Sequence, residues 1–311
     1  MGRVEELGRG RLLVDLGFHD TEGLVASYLL PGPEGWSVVE TGPTTSRASL
    51  LDGLRTAGVA PEEVTQVFVT HIHLDHAGGL GAIAEALPRA RLYAHRDGIP
   101  HLIDPSRLIA SARRAWGAAA DPLWGPILPV PVERLKALSG GERFPLREGT
   151  LEVLATPGHA RHHLSFLDTG VHALMTGDSA GVRLRPSEPA RPAVPPPDLD
   201  LEALFASLER MRATEPRVLW YAHFGACPAG PGVFEEYRAS VERWRDVALA
   251  AAREQPTVPA VAAALRDLEL GTRATVGEDR DPGALVSSYE MAAQGLLRYF
   301  QGHDLLPKEG P

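Results

Sequence analysis

Four side chains able to hold a metal ion fall within six consecutive positions, His71-Ile72-His73-Leu74-Asp75-His76, directly after the apolar run Val64-Thr65-Gln66-Val67-Phe68-Val69-Thr70. The β-branched and aromatic residues of that run predict a buried strand, so the cluster stands where the strand stops. Packing does not explain it. Burying a polar group without a partner costs roughly 2–7 kcal/mol, and several such groups are crowded here. Alternation at the strand end sends His71 and His73 to the same side. The following turn brings Asp75 and His76 to a second position nearby. A catalytic metal needs this kind of ligand set, with one coordination place left for water or substrate.

Composition narrows the remaining choices. The 311 residues are 44% hydrophobic and 23% charged, which excludes a mainly disordered chain. A formal net charge of −9 repels nucleic acid and anionic lipid. No apolar run is long enough to span a bilayer, and Met1-Gly2-Arg3-Val4-Glu5-Glu6 lacks the apolar stretch of a signal peptide. The single cysteine, Cys227, excludes an intramolecular disulfide and reads as a small buried residue, because no second thiol or paired base accompanies it. The expectation is a cytoplasmic protein with a small-molecule substrate, no nucleic-acid partner and no membrane. Oligomeric state is not legible.

Strands are expected over 11–17, 23–30, 36–40, 64–70, 91–95 and 151–155. A hairpin is expected from 163–167 and 171–175 around Asp168-Thr169-Gly170, and a last strand over 217–221. Helices are expected over 50–57, 77–87 and 199–212, the last capped by Asp198. Two segments break the pattern: 99–132, rich in Pro, Ala and Arg and carrying Trp116 and Trp124, and 183–197, which is proline-rich. Long connections of this kind are often functional. Both are candidate pocket walls, with the two tryptophans as apolar substrate contacts or as anchors of the insertion. Beyond Pro231 the chain reads as helical: Phe234, Tyr237, Val241, Trp244 and Ala248 recur at spacings of three and four, and 258–270 and 284–300 behave likewise.

Three further segments carry chemistry, and each follows a predicted strand: Thr156-Pro157-Gly158-His159, Thr176-Gly177-Asp178, and His223 in Tyr221-Ala222-His223-Phe224-Gly225. With the first cluster, in this order, they resemble the motifs of the metallo-β-lactamase superfamily over about residues 12–225. The resemblance implies an α/β chain folded as a four-layer αββα sandwich, the catalytic region spanning 11–230 and a C-terminal helical region, 231–311, packed on it. It implies that His71, His73 and His159 hold one metal, that Asp75, His76 and His223 hold another, and that Asp178 bridges them. His163 takes the place of a supporting histidine that binds no metal. Glu40, in Val38-Val39-Glu40-Thr41-Gly42, stands where the family usually has aspartate beside the site. His162 is expected to face solvent, and His95, which ends a strand, is a candidate to face the pocket.

The implied chemistry is hydrolysis by a hydroxide shared between two divalent ions, most often Zn, with Fe or Mn tolerated by the same ligands. Asp75 would orient the nucleophile or pass on a proton. The motifs look most like the hydroxyacylglutathione hydrolase (glyoxalase II-like) and lactonase branches, so the expected substrate is a small acyl ester, thioester or lactone. The alternatives are a phosphodiesterase or nuclease, and an inert metal-binding scaffold. Residues 230–311 carry 9 Lys plus Arg against 13 Asp plus Glu, which opposes a nucleic-acid clamp.

Overall fold

The computed structural model describes residues 3–272 and 282–306. Thirteen strands among these form two sheets. The first runs β1 (Val4–Gly8), β2 (Arg11–Asp15), β3 (Ala26–Pro31), β4 (Trp36–Val39), β5 (Val64–Phe68), β6 (Arg91–His95) and β7 (Leu135–Leu138) in spatial as well as chain order. It is antiparallel up to β4 and parallel from β4 to β7. The second contains β8 (Arg143–Pro145), β9 (Thr150–Ala155), β10 (Leu164–Asp168), β11 (Ala173–Gly177), β12 (Val218–Tyr221) and β13 (Gly225–Pro228), again neighbour to neighbour. Only β11 and β12 pair in parallel, which leaves room between them for a long crossover.

The buried residues sort into layers. Tyr28, Val39, Phe68 and Tyr93 of the first sheet pack against Val153, Phe166, Met175 and Trp220 of the second, forming the seam between the sheets. Outside the first sheet lie α1 (Arg47–Thr56), α2 (Leu74–Ala77), α3 (Leu80–Ala86), α4 (Ile99–Ile103), α5 (Ser106–Trp116) and α6 (Ala120–Trp124), sharing Leu54, Ile83, Ala112 and Trp124 with its outer face. Outside the second lie α7 (Leu201–Arg212), α8 (Val233–Glu254), α9 (Val258–Thr272) and α10 (Tyr289–Gly302), meeting its outer face through Leu208, Trp244, Leu265 and Phe300. The result is the αββα sandwich. A fully buried ion pair crosses the seam: Arg11 Nε donates to Asp168 Oδ2 at 2.8 Å and Nη2 to Oδ1 at 3.1 Å.

Several local expectations are corrected. The helix expected over 77–87 is two helices, broken at Gly78-Gly79, and the first begins at Leu74, so Asp75 and His76 are helical rather than part of a turn. Asp200, not Asp198, caps α7, accepting the Ala203 amide at 2.8 Å, because Asp198 faces Arg161 at 3.3 Å. The helix expected from 284 begins at Tyr289, where Ser288 accepts the Met291 amide. The segment 99–132 is mostly helical, as α4, α5 and α6. In the expected helical region 231–311, residues 273–281 and 307–311 lie outside the described residues.

Candidate metal centre

The seven residues singled out by the motifs converge on one edge of the sandwich. His71 follows β5, while His73 precedes α2, which carries Asp75 and His76. His159 follows β9, Asp178 directly follows β11, and His223 lies two residues beyond β12. Two glycines make the approaches. Gly158 has φ +136°, and a Cβ there would strike the backbone of Leu204 in α7. Gly177 has φ +50°, and a Cβ would meet the His163 ring. In both places a side chain is barred by conformation as well as by space.

The nitrogens face each other at short range. His73 Nδ1 lies 2.9 Å from His71 Nε2 and 3.0 Å from His159 Nε2, and His223 Nε2 lies 3.1 Å from His76 Nε2. Asp178 stands between the two groups: Oδ2 is 3.5 Å from His159 Nε2, while Oδ1 is 3.4 Å from His76 Nε2 and 3.5 Å from His223 Nε2. Asp75 Oδ2 is 3.4 Å from His223 Nε2. Three overlapping sets have donor atoms within 4.8 Å of one another: His71, His73 and His159; His71, His76 and Asp178; Asp75, His76 and His223.

The outer hydrogen bonds decide which nitrogen of each ring faces inward. His159 Nδ1 donates to the Ala193 carbonyl at 2.9 Å, His223 Nδ1 to the Leu24 carbonyl at 2.6 Å, and His76 Nδ1 to Glu40 Oε1 at 3.0 Å. Thr70 Oγ1 donates to Glu40 Oε1 at 2.5 Å and is thereby free to accept from His71 Nδ1 at 3.0 Å. With Nδ1 so engaged, all four rings turn Nε2 toward the centre. Glu40, despite its extra methylene, reaches both histidine supports. His163, fully buried, accepts the Asp178 amide through Nε2 at 3.1 Å, and its Nδ1 lies 2.8 Å from Thr156 Oγ1 and 3.0 Å from Ser179 Oγ. It holds the backbone of Asp178 and lies outside all three donor sets.

This donor set fits divalent cations. Lone pairs about 3 Å apart repel unless a positive charge sits between them, and Asp178 Oδ1, buried, has no hydrogen-bond partner. Burial lowers the His73 imidazole to about 3, with His159 adding to the effect, and drives His71 well below its ordinary value. Both stay neutral and ready to ligate. Burial opposes ionisation of Asp178, but the positive charge drawn to His76 and His223 beside it, with a smaller contribution from His159, outweighs burial and holds the carboxyl well below its usual range. In turn, against their own burial, the carboxylates of Asp178 and Asp75 raise His76 well above and His223 above the ordinary imidazole value. The balance found at Asp178, with His76 and His223 prevailing over burial, also lowers Asp75.

Beside the cluster opens a cavity of about 550 Å³, lined at its base by His73, Asp75, His159 and Asp178. The segments 99–132 and 183–197 both contribute walls, through α5 and through Ala193 to Pro197. A third wall comes from the C-terminal helical region, through residues 284–294. Trp116 and Trp124 line the cavity, and Trp124 also stacks on Phe18 with ring centres 5.6 Å apart, so it anchors the insertion as well. His162 does not face solvent. It is 6% exposed and its ring lies 6.0 Å from that of His73, because Arg161 takes the outward position of the turn. His95 is buried, accepts the Asp97 amide and is not among the cavity residues. Cys227 is buried, as expected. Among the described residues no helix is long and apolar enough to cross a membrane.

The sequence profile of the Metallo-beta-lactamase superfamily matches residues 20–223. The chain belongs to this superfamily. It is 27% identical over 217 residues, 68% of this chain and 76% of the other, to the metallo-beta-lactamase fold-containing protein ST1585 of Sulfurisphaera tokodaii. The crystal structure of ST1585 superposes with a TM-score of 0.63 at 22% identity, covering 88% of this chain and 93% of that one. A hydroxyacylglutathione hydrolase of Synechococcus is 27% identical over 152 residues, 49% of this chain and 47% of its own length. The structure of TTHA1623 in a di-iron-bound form matches with a TM-score of 0.51 and 28% identity, covering 67% of this chain and 91% of that one.

Proposed function

We propose that the chain is a binuclear metal-dependent hydrolase of small acyl esters, thioesters or lactones. The observation that carries this reading is the pair of donor groups, His71, His73 and His159 on one side and Asp75, His76 and His223 on the other, with the two oxygens of Asp178 turned one to each. In this reading His71, His73 and His159 hold one ion, Asp75, His76 and His223 the second, and Asp178 both. Zinc is the first choice for imidazole and carboxylate ligands, and iron and manganese fit the same set. The di-iron form of TTHA1623 supports a two-metal occupancy. The relative named hydroxyacylglutathione hydrolase supports acyl hydrolysis.

When bound, paired divalent ions supply a water with a pKa lowered to about 7 and a Lewis acid for the carbonyl oxygen. The chain's own residues do the rest. The Nδ1 hydrogen bonds to Glu40, Ala193 and Leu24 fix ring orientations, so that substrate meets a preset centre. Asp75 borders the cavity with its carboxylate kept ionised, where it would orient the attacking water or pass on its proton. Trp116 offers an apolar face to the acyl portion. The regions 11–230 and 231–311 act together, the first carrying every proposed ligand and the second one wall of the cavity.

The test is a panel of p-nitrophenyl ester, lactone, thioester and phosphodiester substrates, each assayed with and without chelator. Chelator-sensitive acyl hydrolysis is expected. Turnover of the phosphodiester alone, or chelator-resistant ester turnover, contradicts the reading.

A further inference from the structure

The charge of the cavity runs against that of the chain. Net charge over the sequence is −9, yet outside the proposed ligands the cavity is lined by three arginines, Arg107, Arg114 and Arg161, against one aspartate, Asp198. Asp198 is already engaged by Arg161 at 3.3 Å. Arg107 and Arg114 are exposed on α5; Arg107 interacts electrostatically with Asp104, and among the described residues no carboxylate lies within salt-bridge distance of either guanidinium. Seven residues apart on a helix, they lie almost on one face and about 10 Å apart along the axis, with Ser111 between them. The same cavity is bordered by an apolar wall that includes Leu285, Val286 and Met291.

We propose that the substrate carries an anionic terminus remote from the bond that is cleaved, received by Arg107, Ser111 and Arg114, with an apolar connecting chain against the 285–291 wall. Arginine forks suit carboxylate and phosphate equally, so the recognised chemistry is an anionic oxygen group on an acyl compound. The inference rests on the hydrolase reading for what is cleaved, and on the cavity alone for what is bound.

The test is therefore binding, read by calorimetry on the full chain as purified. Three ligands of equal chain length are compared: a straight-chain fatty acid, the α,ω-diacid, and the acid ending in a phosphonate. One carboxylate serves the metal centre in every case, so only the far end differs. The anion-ended ligands are expected to bind about tenfold tighter than the fatty acid, as charge-assisted hydrogen bonds allow. That preference should vanish in R107Q/R114Q with fatty-acid affinity unchanged, and it should weaken with added salt. A carboxylate source predicts a larger gain for the diacid, a phosphate source for the phosphonate. Equal affinity for all three ligands in the wild-type protein, or a preference that survives in the double variant, overturns the proposal. If the preference holds while no ester, thioester or lactone is turned over, the anion site stands and the hydrolase reading fails.

Discussion

Glu40 Oε1 lies 3.0 Å from His76 Nδ1 and 2.5 Å from Thr70 Oγ1, and through Thr70 it also orients His71. One carboxylate thus fixes a ring in each of the two donor groups. Glu40 is 1% exposed, so neither bond has a solvent substitute. Replacement by Gln keeps the shape but removes the charge that accepts both donors. Loss of such an outer partner ordinarily costs about 10–100-fold in metal affinity or activity. Glu40→Gln should therefore weaken metal binding within that range in a competitive chelator titration. An unchanged affinity would show that the orienting role is misassigned.

The Arg11–Asp168 pair ties β2 to β10 with both side chains wholly buried. Removing one partner strands a buried charge, at a cost of about 3–5 kcal/mol. Asp168→Ala should shift the urea midpoint accordingly, whereas removing Glu148 from its pair with Arg9, where both side chains are more than half exposed, should change it little. Equal effects would contradict this division between the two pairs.

His162 supplies a pH dependence. Burial, with His73 and His159 adding to it, lowers its imidazole to about 2 from an ordinary 6.5. Below pH 6.5 the unfolded chain takes up a proton that the folded chain refuses, so this group's contribution falls as pH falls, over the window from 6.5 to about 2. His162→Gln should lose less stability than wild type on acidification, by up to about 2 kcal/mol between pH 6.5 and 5. Urea midpoints at the two pH values measure this. Parallel losses in the two proteins would place the ring in solvent.

Much of this molecule was legible in its sequence because strong signals coincide with strong physics. The run from Val64 to Phe68 is apolar because it is a central strand, and the histidine motifs stand out because clustered imidazoles have no packing rationale. The strands missed, β1, β7, β8 and β13, are the four sheet edges. An edge strand is paired on one side only, and its apolar signal fades, as in Arg143–Pro145, where no residue is fully buried. The cap at Asp200 was displaced to Asp198 because both carboxylates suit a cap, and only the nearby Arg161 separates them. The inward turn of His162 depends on contacts between distant segments, which no local pattern records.

Asp178 is the residue on which the proposed centre depends most, since its two oxygens face the two donor groups. Asp178→Ala should lose metal and turnover together, while retained turnover at wild-type metal content would refute its bridging role.

The most direct measurement is turnover of a chromogenic acyl ester as metal is added back to chelator-treated protein, with bound metal counted in the same samples. Turnover should rise with loading and level off at two ions per chain. Ester hydrolysis that is already complete in metal-free protein, or no hydrolysis of any acyl substrate with two ions bound, would contradict the account.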